Sequence, residues 1–284
     1  MATIEIPDWI RKKSFVGIQD MRQILKKHRV STVCEKARCP NIGECYPRPA
    51  ATFLILGSRC TRNCGFCSVE SSKPESLDPE EAKRVALAAK EIGLKYVIIT
   101  SVTRDDLPDG GATQFAKTIR AIRDSIPYVK IEVLTPDFKG NIDSLRTVMD
   151  SRPDVYGHNI ETVPRLYPFV RAQADYIRSL NLLAYAKKIA PDIYTKSGLM
   201  LGLGETLNEV VTVLRDLRNE GCNFITIGQY LRPSKLHLPV VEYIRPEVFE
   251  DLRKIAMDMG FTYAASSPLV RSSFNAESSF AYEA

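Results

Sequence analysis

Short apolar runs alternate with longer amphipathic segments along most of this chain. The runs "ATFLIL" (51–56), "LKYVIIT" (94–100), "VKIEVLT" (129–135), "PDVYGHNI" (153–160), "DIYTKSGLML" (192–201) and "NFITIGQYL" (223–231) read as buried strands. Helical spacing marks "DPEEAKRVALAAKEIG" (78–93), with Asp78 as N-cap, Pro79 at the first helical position and Gly93 as the stop. Four further helices follow in "ATQFAKTIRAIRDSI", "NIDSLRTVM", "ADYIRSLNLLAYAKKIA" and "TLNEVVTVLRDLRNEG", and a last one in "PEVFEDLRKIAMDMG". Such alternation predicts right-handed βαβ units and a parallel sheet. Six units suit a partial (β/α)6 TIM-like barrel better than a doubly wound sheet, although periodicity alone leaves the second open.

Polar motifs fall where these strands end. "GSRCTRNCGFC" follows the first, "TSVTRDDLPDGG" the second and "TPDF" the third. The fourth runs into "GHNIET", the fifth into "KSGLMLGLGET" and the sixth into "QYLRPSKLH". Barrel enzymes build their active sites at that end of the strands, so one face collects cysteines, charges and glycines.

Composition adds little to this picture. With 44% hydrophobic and 26% charged residues the chain is an ordinary globular one. "MATIEIPDWIRKK" has no apolar core of a signal peptide, and runs such as "VIIT" are too short to span a bilayer, so a cytoplasmic location with reduced thiols is expected. The net charge of +5 is uneven: residues 1–30 hold seven Lys or Arg against three acids, +4 of the total. That segment is able to steer an acidic partner or is simply a solvated helix face, and it is too sparse for nucleic acid.

Seven cysteines are the main chemical signal. Cys34, Cys39 and Cys45 are spaced C-x4-C-x5-C, and Cys60, Cys64 and Cys67 C-x3-C-x2-C, while Cys222 precedes a strand as a small buried hydrophobe. Zinc sites usually pair two short Cys hooks and close with four ligands, for which only His28, His158 and His237 are on offer. Two tight triplets suit cubane clusters with one corner open, and zinc remains the structural alternative.

"CTRNCGFC" resembles the signature of the radical S-adenosylmethionine superfamily, with Phe66 before the last cysteine. Together with "VCEKARCPNIGECY", "TSVTRDDLPDGGA", "HNIET", "TKSGLMLGLGE", "QYLRPS" and "RSSFNA" the resemblance narrows to the lipoyl synthase family, over nearly the whole chain. It implies that Cys60, Cys64 and Cys67 hold a 4Fe–4S cluster that chelates and reductively cleaves S-adenosylmethionine. It also implies a second, auxiliary 4Fe–4S cluster on Cys34, Cys39 and Cys45, completed by Ser273 and consumed as the sulfur source. The implied reaction adds two sulfur atoms at carbons six and eight of an octanoyl chain on a lipoyl carrier protein, such as a lipoyl domain of a 2-oxoacid dehydrogenase or the glycine cleavage H protein. An electron donor is implied as a partner, with no nucleic acid and no membrane. Those carbons carry no acidic hydrogen, so acid–base catalysis is useless there and a shielded carbon radical is required. Residues 1–50 and 265–284 become extensions that close the mouth of a barrel spanning 51–264. A different sulfur-inserting radical enzyme would share "CTRNCGFC" without the C-terminal serine ligand.

Other residues at the strand ends are candidates for cofactor binding. Arg104 and Asp105, with Asp106, could orient amino or ribose groups, or else belong to an exposed helix entry. His158 and Asn159 end the fourth strand, where a core imidazole is the plain alternative. Arg171 suits a carboxylate, and Lys196 and Arg232 are placed the same way. Where the family carries Tyr after the serines this chain has Phe274, and the final "ESSFAYEA" carries no readable signal.

Overall fold

The computed structural model describes residues 5–10, 17–48 and 50–283, the last three as backbone only. The basic segment's Arg11, Lys12 and Lys13 lie outside those residues. An N-terminal helix α1 (Gln19–His28) precedes a short strand β1 (Ser31–Thr32) and two single-turn helices, α2 (Val33–Lys36) and α3 (Ile42–Cys45). Strand β2 (Thr52–Ile55) then opens the barrel, and β3 (Arg59–Cys60) pairs in parallel with β4 (Glu70–Ser71) beside it. The regular rhythm follows: α4 (Glu81–Ile92), β5 (Tyr96–Ser101), α5 (Ala112–Ser125), β6 (Lys130–Leu134), α6 (Ile142–Asp150) and β7 (Val155–Gly157). It continues with the short α7 (Tyr167–Val170), α8 (Tyr176–Ile189), β8 (Tyr194–Leu201), α9 (Leu207–Asn219), β9 (Phe224–Gln229), α10 (Pro246–Asp258) and β10 (Tyr263–Ser266).

The main sheet runs β1-β2-β5-β6-β7-β8-β9-β10, parallel from β2 onward, with only β1 antiparallel. Six of its parallel strands are those read from the sequence. The seventh, β10, is four residues long and holds two alanines, so neither apolar run nor β-propensity announces it. Strand interiors are buried on both sides, as parallel sheets covered by helices require. The caps set where each loop is released. Gly93 ends α4 with φ 80°, Asn141 caps α6 through Asp143 and Ser144, and Thr206 with Glu209 forms a capping box on α9. Helix α4 starts at Glu81, two residues later than read, because Asp78 accepts the Glu80 N–H in a turn of its own. Among the described residues no helix is long and apolar enough to cross a membrane.

Leu56 (φ 68°) and Glu161 (φ 67°), non-glycine residues with left-handed backbone, follow strand ends at the mouth, as do Phe138 (φ 46°) and Lys139 (φ 52°) after β6. Strain of this kind persists where the surroundings over-determine it, commonly at functional sites. At Leu56 the surroundings are visible: its N–H donates to both oxygens of the Glu81 carboxylate, which also holds the Gln114 amide.

Candidate active site

The loop after β2 carries Cys60, Cys64 and Cys67 and is pinned on several sides. Thr61 N–H donates to the Thr103 carbonyl at 3.0 Å, Asn63 N–H to Gln173 Oε1 at 2.8 Å and Gly65 N–H to the Val170 carbonyl at 3.0 Å. From the other side, the loop after β9 gives Leu238 N–H to the Gly65 carbonyl at 3.0 Å and His237 Nε2 to the Cys67 carbonyl at 2.9 Å. Gly65 is required here because a Cβ would stand 2.8 Å from Leu238 and 3.0 Å from the Phe169 carbonyl. Backbone N–H groups of Arg62 and Thr103 point at Cys60 Sγ, at 3.4 and 3.3 Å.

Arg62, inside the cysteine motif, is the clamp that joins this loop to two other strand ends. It is 5% exposed, forks onto both oxygens of Asp105 at 2.7 and 2.9 Å, and donates to Asp137 at 2.6 Å. Arg178 reaches the other oxygen of Asp137 at 3.2 Å. Burial alone would raise the Asp137 pKa; the hydrogen bonds and charge of Arg62 overturn this and hold the carboxyl well below the usual range. Arg62→Met leaves that buried carboxylate with only the longer contact to Arg178 and the Lys139 N–H, and we expect it to lower unfolding stability by about 3 kcal/mol, read from the anaerobic urea midpoint. A carboxylate held low stabilises the fold above its unfolded pKa and loses that contribution as pH falls through the folded one. The gap between parent and variant is therefore widest near neutrality and narrows in acid.

The donor set suits clusters. Each triplet is gathered: Cys45 feels the charges of Cys39 and Cys34, and Cys67 those of Cys64 and Cys60. Burial pushes the Cys34 thiol up to about 11, Cys45 and Cys67 up to about 12, and Cys64 upward too. Thiols held that high ionise only against a compensating positive charge, which iron provides when it displaces the proton. No disulfide joins cysteines among the described residues. No three His, Cys, Asp or Glu side chains among the described residues converge on a point where a single ion could sit. In a cubane each thiolate takes its own iron, so three thiols need not meet at one point.

The C-terminal motif comes back to the first triplet. Asn41, between Cys39 and Cys45, donates to the Leu269 carbonyl at 2.7 Å, 228 residues away in sequence. Arg271 lies close enough to Cys39 and Glu161 to feel both charges. The two serines differ: Ser272 Oγ accepts from Asn159 Nδ2 at 2.7 Å, while no hydrogen bond to a described residue engages the Ser273 hydroxyl.

The remaining sequence candidates divide. Asn159 sits at the mouth, tying Glu161 and Ser272 to the end of β7. Arg171 is held through Nη1 by the Asn159 and Ile160 carbonyls and the Tyr167 hydroxyl, and its charge reaches Cys64. Arg104 is 3% exposed and spends itself on Asp106 and the Leu56 carbonyl, and Asp105 is taken by Arg62. His158 is 1% exposed with Nδ1 facing the Thr135 carbonyl and Nε2 the Ser179 hydroxyl; burial depresses it to about 4, so it is neutral. Lys196, third residue of β8, is buried low in the barrel against both oxygens of Glu132, at 2.8 and 2.9 Å. Arg232 shapes the loop after β9 through the His237 and Lys235 carbonyls. Arg104, Asp105 and His158 thus order the fold around the mouth and Lys196 orders it lower down, each with a protein partner. Arg62, Asp137, Glu161 and Arg271 were not foreseen as site residues. All four lie inside the strand-end and terminal motifs, and for Arg62 and Arg271 adjacency to the cysteines and serines was the available signal.

A parallel barrel with a three-cysteine loop at its mouth defines a radical S-adenosylmethionine enzyme, and a model of the Radical SAM superfamily matches residues 54–217. The chain is also similar to the FeFe-hydrogenase maturase HydG from Carboxydothermus hydrogenoformans, with a TM-score of 0.56 at 16% identity, over 93% of this chain and 78% of that one. That likeness bears on the fold alone. Lipoyl synthases of Caldicellulosiruptor bescii and Aquifex aeolicus are far more similar. The first is 56% identical over 98% of this chain and 96% of its own, the second 52% over 92% and 95%. The chain belongs to the lipoyl synthase family. As a member it is a sulfur-inserting enzyme that uses S-adenosylmethionine and two 4Fe–4S clusters to convert a protein-bound octanoyl chain to lipoyl.

Proposed function

We propose that the two triplets divide the labour of this reaction, with Cys60, Cys64 and Cys67 on the S-adenosylmethionine side and Cys34, Cys39, Cys45 and Ser273 on the sulfur side. The contact from Asn41 to Leu269 carries this reading, because it draws residues 34–45 and the serine motif to one place. When bound, a cluster on Cys60, Cys64 and Cys67 would supply the electron that cleaves S-adenosylmethionine, and one on Cys34, Cys39 and Cys45 would supply sulfur. The chain's own part is to hold and enclose. Arg62 fixes the cysteine loop, and Leu238 and His237 cover it from above. Arg171 keeps Nε and Nη2 free of described partners, so a bidentate edge remains for the methionine carboxylate. Glu161, tied to Asn159, lies close enough to Cys64 and Cys67 for its charge to be felt and is also near Arg271, and a ribose would be held beside this pair. Arg104, Asp105, His158 and Arg232 act through these groups by ordering the strand ends, and Lys196 by pairing with Glu132 lower in the barrel. Protein purified anaerobically should be brown and carry about eight iron and eight sulfide per chain; a colourless, zinc-loaded protein would overturn the reading.

The substrate in this reading is an octanoyl-lysine on a folded carrier in the cytoplasm, and α1 belongs to its docking surface. Lys26 is exposed, whereas Lys27 and His28 hold α1 on α4 through Glu91, at 2.8 and 2.7 Å. Neutralising Lys12, Lys13 and Lys26 should slow turnover of an acidic carrier at low salt and leave a short octanoyl peptide unaffected. Equal rates on both substrates in parent and variant would remove α1 from the docking surface.

A further inference from the structure

The chain does not stop at the mouth once it has delivered its serines. Asn275, with φ 51°, turns it into a 3-10 helix, Ala276–Glu283, whose Ala276 and Ser279 are 2% and 1% exposed. The Phe280 ring lies 5.9 Å from Tyr96, 5.8 Å from Tyr194 and 6.3 Å from Phe224, with Lys130 Nζ 5.2 Å from its centre. These four are the first residues of β5, β8, β9 and β6. Strands β5 and β9 are separated in the sheet by β6, β7 and β8, so one ring can touch both only from the concave side. Phe280 therefore plugs the barrel at the end opposite the mouth. Beside it Tyr96 donates its hydroxyl to Glu132, which also takes Lys196, closing the same floor.

The connection between the two ends is ordered along its length. Residues 272–275 lie in turns, with Phe274 N–H donating to the Arg271 carbonyl at 2.9 Å and Ser278 N–H to the Asn275 carbonyl at 3.0 Å, and the chain continues as 3-10 helix at about 2 Å per residue. The segment is tied at the top by Asn159 on Ser272 and at the bottom by the aromatic seat of Phe280. Ser273 lies just inside the upper knot.

We propose that Phe280 is a positioning residue for the auxiliary cluster: by anchoring the C-terminal strap to the barrel floor it holds Ser273 in place at the mouth. This rests on the reading of Ser273 as a ligand of that cluster. Second-layer contacts of this kind set how firmly a ligand keeps its metal.

The test uses the anaerobic holoenzyme with both clusters, without substrate, and follows iron passing to a ferrous chelator, with melting temperature as a check on folding. Ser273→Ala serves as the reference for an unliganded corner. We expect Phe280→Ala to release auxiliary-cluster iron roughly tenfold faster than the parent, and Phe280→Leu to restore most of the difference. A two-glycine insertion after Asn275, which leaves the floor filled but slackens the strap, should match Phe280→Ala. If Ser273→Ala speeds release while the insertion does not, Phe280 merely packs the floor and the proposal fails alone. If Ser273→Ala leaves release unchanged, the ligand reading fails and takes the proposal with it.

Discussion

Replacing Cys60, Cys64 and Cys67 together by Ala is expected to halve the iron content and abolish formation of 5′-deoxyadenosine. The contacts that pin this loop come through Arg62, Gly65 and the loop after β9 and not from residues 34–45, so its loss of thiols should leave the other cluster intact. The converse triple variant at Cys34, Cys39 and Cys45 should also halve iron, yet still cleave S-adenosylmethionine and yield no sulfur product. The expected loss in each case is complete for one half-reaction, because three ligands of a cluster leave together. Iron analysis and chromatography of the nucleoside product check both at once. Abolished cleavage in both variants, each with one cluster retained, would show that the division between the triplets is wrong.

Ser273→Ala is expected to keep 5′-deoxyadenosine formation and make little or no dithiolated product. An oxygen ligand is harder than thiolate and gives up its iron more readily, which suits a cluster that must be dismantled to donate sulfur. Ser272→Ala is the internal control. Its hydroxyl is occupied by Asn159, so the change removes one hydrogen bond, about 1 kcal/mol, and should slow turnover without stopping it. Mass spectrometry of an octanoylated peptide separates the two outcomes; full product from Ser273→Ala would exclude the serine as ligand.

The barrel was legible because its strands are apolar on both faces and its motifs sit at their ends, a pattern local in sequence. The cysteine loop was legible for the same reason, since its ligands lie within eight positions, 60–67. What escaped depends on partners distant in the chain. Nothing adjacent to Asp105 tells that Arg62, 43 positions earlier, forks onto its carboxylate. Lys196 carries a charge at a strand position facing the mouth by expectation, yet its neighbour across the barrel is Glu132, which turns it into floor structure. "ESSFAYEA" was unreadable because the seat of Phe280 is assembled from the starts of four separate strands. The C-terminal extension thus has two parts, one at the mouth through Ser272 and one at the floor through Phe280.

In the proposed division of labour, the cluster on Cys34, Cys39 and Cys45 is the source of the inserted sulfur. The direct measurement loads the protein with heavy-isotope sulfide, removes free sulfide, and allows a single turnover with S-adenosylmethionine, a reductant and an octanoyl-lysine peptide. The expected peptide has gained two heavy sulfur atoms, one at each of two C–H positions that become C–S–H, with none formed by the Cys34, Cys39, Cys45 triple variant. Product carrying only light sulfur, or heavy product from that variant, would contradict it.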